Sequence, residues 1–190
     1  MIVWEWYERR RLMLLARGAT GAVLDIGFAE KPNPFFAPSA HVTGVDLVPS
    51  DPIPGYQRQI VGDFTDCSEL EGVEFDYVVA GEVIEHVEQP YDFLKAARER
   101  LGVGGVIKLS TPNPLGFPVL IYELMRSKGR FYAADHLFYF NPRWVVKMMR
   151  SVGFTDIQVR PVGLWLPGVP IPWSPVSMSY QVIYAGRRAS

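Results

Sequence analysis

Four short apolar runs in this 190-residue chain stop at a glycine or a carboxylate. The first is Val23-Leu24-Asp25-Ile26-Gly27, which continues into Phe28, Ala29 and Glu30. His41-Val42-Thr43-Gly44-Val45-Asp46-Leu47 is the second, and Gln59-Ile60-Val61-Gly62-Asp63, followed by Phe64, is the third. Phe75-Asp76-Tyr77-Val78-Val79-Ala80-Gly81 is the fourth, with Glu82 next. An acidic residue about 20 positions beyond the first turn can accept hydrogen bonds from ribose hydroxyls. Asp46 stands at that place. One aspartate at the end of a strand is an ordinary loop residue. Four such ends, in this order and spacing, suit an adenosine-containing ligand.

A second set could do acid–base or metal chemistry. Glu82, Glu85 and His86 are spaced by three and four, so they share a face if they open a helix. That face would begin beside the end of the fourth run. His136 comes much later, in a segment expected to return over the same end. Two carboxylates and two imidazoles can hold a divalent ion such as Mg. The ion would lower the pKa of a bound hydroxyl and make it a nucleophile at neutral pH. Simpler roles also fit. Glu82 can cap a helix N-terminus, and His86 can pack against the loop after Ser110. His86 or His136 can act as a general base without metal. Asp135 either orients the ring of His136 or is exposed.

The elements that must position these groups follow from periodicity. Residues 2–17 carry a helical pattern, with Trp6, Leu12, Leu15 and Ala16 on one face and Gly18 and Gly21 ending it. Further helices are expected from Glu82 to His86, from Tyr91 to Leu101, and from Pro142 to Val152. Asn141 caps the last and Gly153 stops it. Gly105–Ser110 reads as a fifth strand, and Ile157–Arg160 and Tyr180–Tyr184 as two closing strands. Apolar strands alternating with helices predict an α/β fold, a doubly wound and mostly parallel seven-stranded sheet. Pro32, Pro34 and Pro38 crowd the first crossover, and Pro49, Pro52 and Pro54 the second. Both connections are expected to be short or irregular.

Composition bounds the rest. Apolar residues are 48% and charged residues 21%, which is globular rather than disordered. Nineteen basic and 20 acidic residues give a net charge of −1, which disfavours a nucleic-acid partner. Cys67 is the single cysteine, so no internal disulfide forms and a reducing compartment is expected. The arginines 9–11 follow the apolar residues at the start, the reverse of a signal peptide. No apolar run reaches membrane-spanning length. The expectation is a single cytoplasmic domain over residues 1–190.

Together the motifs resemble the class I S-adenosylmethionine-dependent methyltransferases, in particular the branch of ubiquinone-biosynthesis O-methyltransferases. The resemblance runs from about residue 22 to 155. It is carried by the four strand ends, by Glu82-Val83-Ile84-Glu85-His86-Val87, by Leu101-Gly102-Val103-Gly104-Gly105 and Ser110-Thr111-Pro112-Asn113, and by His136-Leu137-Phe138-Tyr139-Phe140-Asn141-Pro142. It implies that Asp25, Gly27, Phe28 and Ala29 lie at the methionine part of S-adenosylmethionine. Asp46 and Leu47 would meet the ribose, and Asp63 and Phe64 the adenine. Ala80, Gly81 and Glu82 would line the methionine amine. The resemblance also implies an arginine before the first strand at the cofactor carboxylate, for which Arg10 is the choice, and catalytic roles for His136 and His86. Some relatives hold a metal on a Glu-x-x-Glu-His block with a later histidine, here Glu82, Glu85, His86 and His136. The first loop departs from the family's glycine-rich pattern, with Ala29 and Lys31 where glycines are usual. Lys31 puts a cation near the sulfonium, although it could also reach the carboxylate.

Residues 114–140 and 161–176 are the expected acceptor-side segments. The second is too rich in proline for a helix. Its Trp165 and Trp173 could line an apolar pocket, rest at a membrane interface, form a dimer contact or pack back over the sheet. The expected activity is methyl transfer to a hydroxyl oxygen of a small-molecule, sugar or lipid-linked acceptor. The alternatives are a non-catalytic methyltransferase-like binding protein and a metal-dependent RNA 2′-O-methyltransferase. No Gly-x-Gly-x-x-Gly follows the first strand, which disfavours a nicotinamide dehydrogenase.

Overall fold

The computed structural model describes residues 3–125, 136–166 and 169–190. Helix α1 (Val3–Ala16) leads into β1 (Gly21–Ile26), β2 (Ala40–Asp46), β3 (Tyr56–Val61) and β4 (Phe75–Gly81). Then come α2 (Pro90–Arg100), β5 (Leu101–Pro112), α3 (Phe117–Met125) and α4 (Pro142–Ser151). The chain closes with β6 (Phe154–Pro161), β7 (Leu164–Leu166), β8 (Val169–Ile171) and β9 (Gln181–Arg188).

Seven strands form one sheet in the order β3-β2-β1-β4-β5-β9-β6. The first five pair in parallel, and β9 runs antiparallel to both β5 and β6. This is the doubly wound, mostly parallel α/β sheet that the strand–helix alternation predicts. The chain winds outward from β1 to β3, returns to β4 and then winds the other way. The crevice between the ends of β1 and β4 is therefore the switch point where such sheets take ligands.

Both faces of the sheet are covered, which explains strands that are apolar throughout. Tyr7, Leu15 and Ala19 pack with Val23, Val42, Val79 and Ile183 on the α1 face. Phe93, Leu94 and Ala97 of α2 join Val145, Met148 and Met149 of α4 on the other. The Asn141 side chain accepts a hydrogen bond from Trp144 N at 3.1 Å, and Pro142 takes the first turn of α4, as expected. Neither proline-crowded crossover contains a helix. Buried Asn33 ties the first one to α1 by donating to Leu12 O at 2.9 Å.

Three features differ from expectation. Residues 82–89 form a turn, so no helix opens at Glu82. Glu82 has φ of 59°, in the left-handed region. In a helix the Glu85 carbonyl would accept from Gln89; here it accepts from Leu137 N and Phe138 N, at 2.9 and 3.2 Å. Residues Phe117–Met125 form a helix within a segment expected only as an acceptor lid. The proline-rich stretch pairs β7 with β8 as a two-stranded ribbon.

Candidate active site

At the carboxyl ends of β1, β2 and β4 lies a cavity of about 840 Å³, lined by Gly27, Asp46, Leu47, Asp63, Phe64, Glu82 and His86 among others. A smaller recess adjoins it at Gly27, lined also by Arg11, Asp25, Lys31, Asn33 and Gly81. The cavity lies within the range of small-molecule sites.

Gly27 is required twice over. Its φ is +75°, and a Cβ there would stand 2.6 Å from Val83 Cγ2. Ala29 and Lys31 need no such freedom. Among the described residues, Glu82 and Asp156 are the non-glycine residues with positive φ. The Lys31 ammonium pairs with Glu8 Oε2 of α1 at 3.1 Å, so its charge is balanced by α1. Asp46 stands between two loops: Oδ2 accepts from Ala29 N at 2.7 Å and Oδ1 from Val48 N at 3.1 Å. Asp63 Oδ1 accepts from Thr65 N and Thr65 Oγ1, at 2.8 and 2.7 Å. Leu47 is exposed at the rim.

The other expected cofactor contacts are set deeper. Phe64 is buried edge-on against Phe93. The Phe28 ring lies in the core, stacked on Tyr56 and pressed against Gly44, where a Cβ would come within 2.6 Å of it. Phe28 and Ala80 therefore offer only backbone to a ligand, because the core takes their side chains. Asp25 is buried and accepts from the Tyr56 hydroxyl at 2.5 Å. Burial pushes its pKa up to about 7, with Tyr56 and Arg11 pulling the other way.

Arg11 is a candidate that the sequence analysis missed, and it lines the recess beside Gly27, whereas Arg10 is turned to the residue 162–172 loop. Arg11 is 3% exposed. Its guanidinium pairs with Glu82 Oε2 at 3.9 Å, and its Nη1 donates to Ser110 Oγ at 3.4 Å. The spacing Tyr7, Arg11, Leu15 is a signal that could have found it, because one helix face carries all three. Arg10 instead donates from Nε to Val162 O at 2.5 Å and from Nη2 to Pro172 O. That geometry uses it to hold the residue 162–172 loop on α1.

Glu82 Oε1 accepts from Gln181 Nε2 at 2.5 Å. With Arg11 on its other oxygen, Glu82 turns away from the proposed metal quartet. The structure does bring Glu85, His86 and His136 together, each offering a donor atom within 4.8 Å of the others. The two imidazole rings meet edge-on at 4.7 Å. Glu85 is 1% exposed, and neither of its side-chain oxygens accepts a hydrogen bond. Burial, and then the charge of Glu82, push its pKa up to about 8. Asp135 lies outside the described residues, as do Arg126, Lys128, Arg130, Phe131 and Tyr132.

A SAM-dependent methyltransferase, possible histamine N-methyltransferase, from Thermotoga maritima shares this fold with a TM-score of 0.69. It is 20% identical, over 97% of this chain and 93% of that one. The N-methyltransferase NodS of Bradyrhizobium japonicum, solved with S-adenosyl-L-homocysteine, has a TM-score of 0.65 and 15% identity, over 99% and 89% of the two chains. An uncharacterized protein of Methanocaldococcus jannaschii is 27% identical over 85 residues, 45% of this chain and 40% of its own length. The matched stretch thus spans well under half of that relative. A family model described as a methyltransferase domain matches residues 5–159, from α1 into β6. A match over that much of the chain, on a sheet with this strand order and a ligand cavity at its switch point, makes the chain a member of the methyltransferase-domain family, built on the class I S-adenosylmethionine-dependent fold.

Proposed function

We propose that the protein transfers a methyl group from S-adenosylmethionine to a hydroxyl oxygen of a small-molecule, sugar or lipid-linked acceptor. The observation that carries this reading is the cavity at the ends of β1, β2 and β4, with Asp46 and Asp63 on its wall and Arg11 in the adjoining recess. When bound, the cofactor supplies a sulfonium methyl for in-line displacement. Asp46 receives the ribose hydroxyls with the oxygen capacity its two backbone donors leave. Asp63, on the cavity wall, would accept from the adenine amine. Arg11 offers a buried guanidinium to the cofactor carboxylate, the task expected of Arg10. Gly27 lets the backbone approach closely. Ala29 and Lys31 are compatible with binding, since neither needs left-handed backbone and Glu8 balances the lysine.

The oxygen acceptor rests on the histidine pair, because the fold alone does not choose the acceptor atom: NodS is by name an N-methyltransferase. His86 lines the cavity and His136 meets it edge-on, so that the pair can take the proton from an attacking hydroxyl. A divalent ion is compatible with Glu85, His86 and His136, and Glu85 has two buried oxygens without a hydrogen-bond partner. One carboxylate and two imidazoles suit a first-row transition ion better than Mg. Glu82 takes no part in that set.

Calorimetric titration with S-adenosylhomocysteine tests the reading. Micromolar binding is expected, weakened at least about tenfold by Asp46→Ala in a protein that still melts cooperatively. Absence of binding at millimolar ligand in the folded wild-type protein overturns it. Repeating the titration and the acceptor assay with a chelator present decides the ion.

A further inference from the structure

Gln181 opens β9 opposite Pro112, at the ligand end of the sheet. It is 6% exposed. Its backbone carbonyl accepts from Val162 N at 3.0 Å and from Ser179 Oγ at 2.6 Å. Its side chain crosses the end of β5 to reach β4, where Nε2 donates to Glu82 Oε1 at 2.5 Å. The other end of the amide is unused. Gln181 Oε1 is buried, and among the described residues nothing donates to it. A buried acceptor without a donor costs stability. An apolar side chain of the same length would avoid that cost, so packing alone does not account for this glutamine.

The residue it holds is strained as well. Glu82 has φ of 59°, in the left-handed region where glycine is the usual occupant. Its carboxylate is gripped from two sides, by Arg11 of α1 at 3.9 Å on Oε2 and by Gln181 on Oε1. The Glu82 side chain is still 27% exposed and lines the cavity. Arg11 lines the recess that adjoins it. A guanidinium and a carboxylate held side by side at that junction are complementary to a zwitterion. An amino-acid tail is one, with its carboxylate toward Arg11 and its ammonium toward Glu82.

We propose that Gln181 is a positioning residue: by fixing Glu82 in its left-handed conformation, it aims that carboxylate at the ammonium of the cofactor's methionine tail. This role rests on the proposed use of S-adenosylmethionine. An orphaned acceptor and a strained backbone stand at the two ends of one hydrogen bond. Such costs persist where a site requires them.

The test compares two ligands by calorimetry on the full chain: S-adenosylhomocysteine, which has the tail, and 5′-methylthioadenosine, which lacks it. Q181M keeps the length of the side chain and removes the donor. It is expected to bind S-adenosylhomocysteine about tenfold more weakly, and methylthioadenosine within about twofold of wild type. Its melting midpoint is expected at or above that of wild type, because the orphaned oxygen is gone and water can replace the donor at partly exposed Glu82. E82Q is expected to show the same selective loss. Because Gln181 acts through Glu82, Q181M/E82Q is expected to stay within about twofold of E82Q, where independent effects would multiply to a further tenfold or so. A Q181M protein that binds S-adenosylhomocysteine like wild type overturns the proposal. So does an equal loss of both ligands, or a double variant in which the losses multiply. Wild-type protein that binds the two ligands equally overturns it too, while leaving the nucleoside part of the cofactor site standing. Wild-type protein that binds neither refutes the proposed function, and this role with it.

Discussion

His136 is set against His86, a residue of the cavity wall, because two backbone bonds hold the residues after it to the Glu85 carbonyl. Its ring then meets His86 at 4.7 Å. Replacing His136 by Ala is expected to lower turnover by about a hundredfold or more, the scale of a lost general base. The S-adenosylhomocysteine affinity should stay within about twofold, since the cofactor residues lie on other strands. Steady-state rates on a true acceptor, beside calorimetry, separate the two effects; an unaltered rate removes the assignment. Individual residues were legible to different depths. Gly27, Asp46 and Asp63 line the cavity as their strand-end positions foretell. Phe28 and Phe64 rested on the resemblance, and residue order does not tell a ring that lines the wall, as Phe64 does, from one taken into the core, as Phe28 is. Arg11 was hidden for the opposite reason: a cation on an apolar face reads as solvated until its partners, Glu82 and Ser110, arrive from strands some 70 to 100 residues away.

At the scale of elements, α1 does more than cover the sheet. Arg10 donates to Val162 O and Pro172 O, and Tyr7 Oη donates to Gly163 O at 3.2 Å. Gly163 is pressed so close to Trp6 that a Cβ would stand 2.9 Å from its ring. The ribbon of β7 and β8 is thus clasped to the first helix. Arg10→Ala is expected to speed proteolytic cleavage between residues 162 and 175 by about tenfold, leaving S-adenosylhomocysteine binding intact. Limited proteolysis read by mass spectrometry checks this, and an unchanged cleavage rate would show the clasp to be idle. The strands and α4 were legible because each carries its own signal: an apolar run, or Asn141-Pro142 at a helix start. The turn at Glu82 was not, because its Glu-x-x-Glu-His spacing fits a helix. What prevents the helix is the loan of the Glu85 carbonyl to residues more than 50 positions later. Helix α3 escaped notice because its apolar stripe faces out, and the ribbon because prolines rule out helices without ruling in strands.

The molecule as a whole carries buried acids that oppose folding at high pH. Asp25 has a carboxyl raised from 3.8 to about 7 by burial. The folded state therefore holds a proton that the unfolded chain releases near pH 4. The stabilisation is complete below that pH and is lost as pH rises through about 7. Glu85, raised from 4.5 to about 8, adds to the same trend. Melting curves from pH 5 to 8 are expected to show a falling midpoint, and Asp25→Asn is expected to flatten it. An identical slope in the variant would remove Asp25 as a cause. The sheet order has a consequence for synthesis. Strand β6 pairs with β9 alone, yet β9 is the last strand to be made, with the whole β7–β8 ribbon in between. While a ribosome is translating those residues, the five parallel strands can assemble, but β6 waits with both edges open and α4 has only half its floor. The nascent protein therefore passes through a stage at which a finished half-sheet displays the free edge of β5. At that stage a chaperone has most to shield, and a strand from a neighbouring nascent chain could be paired in error.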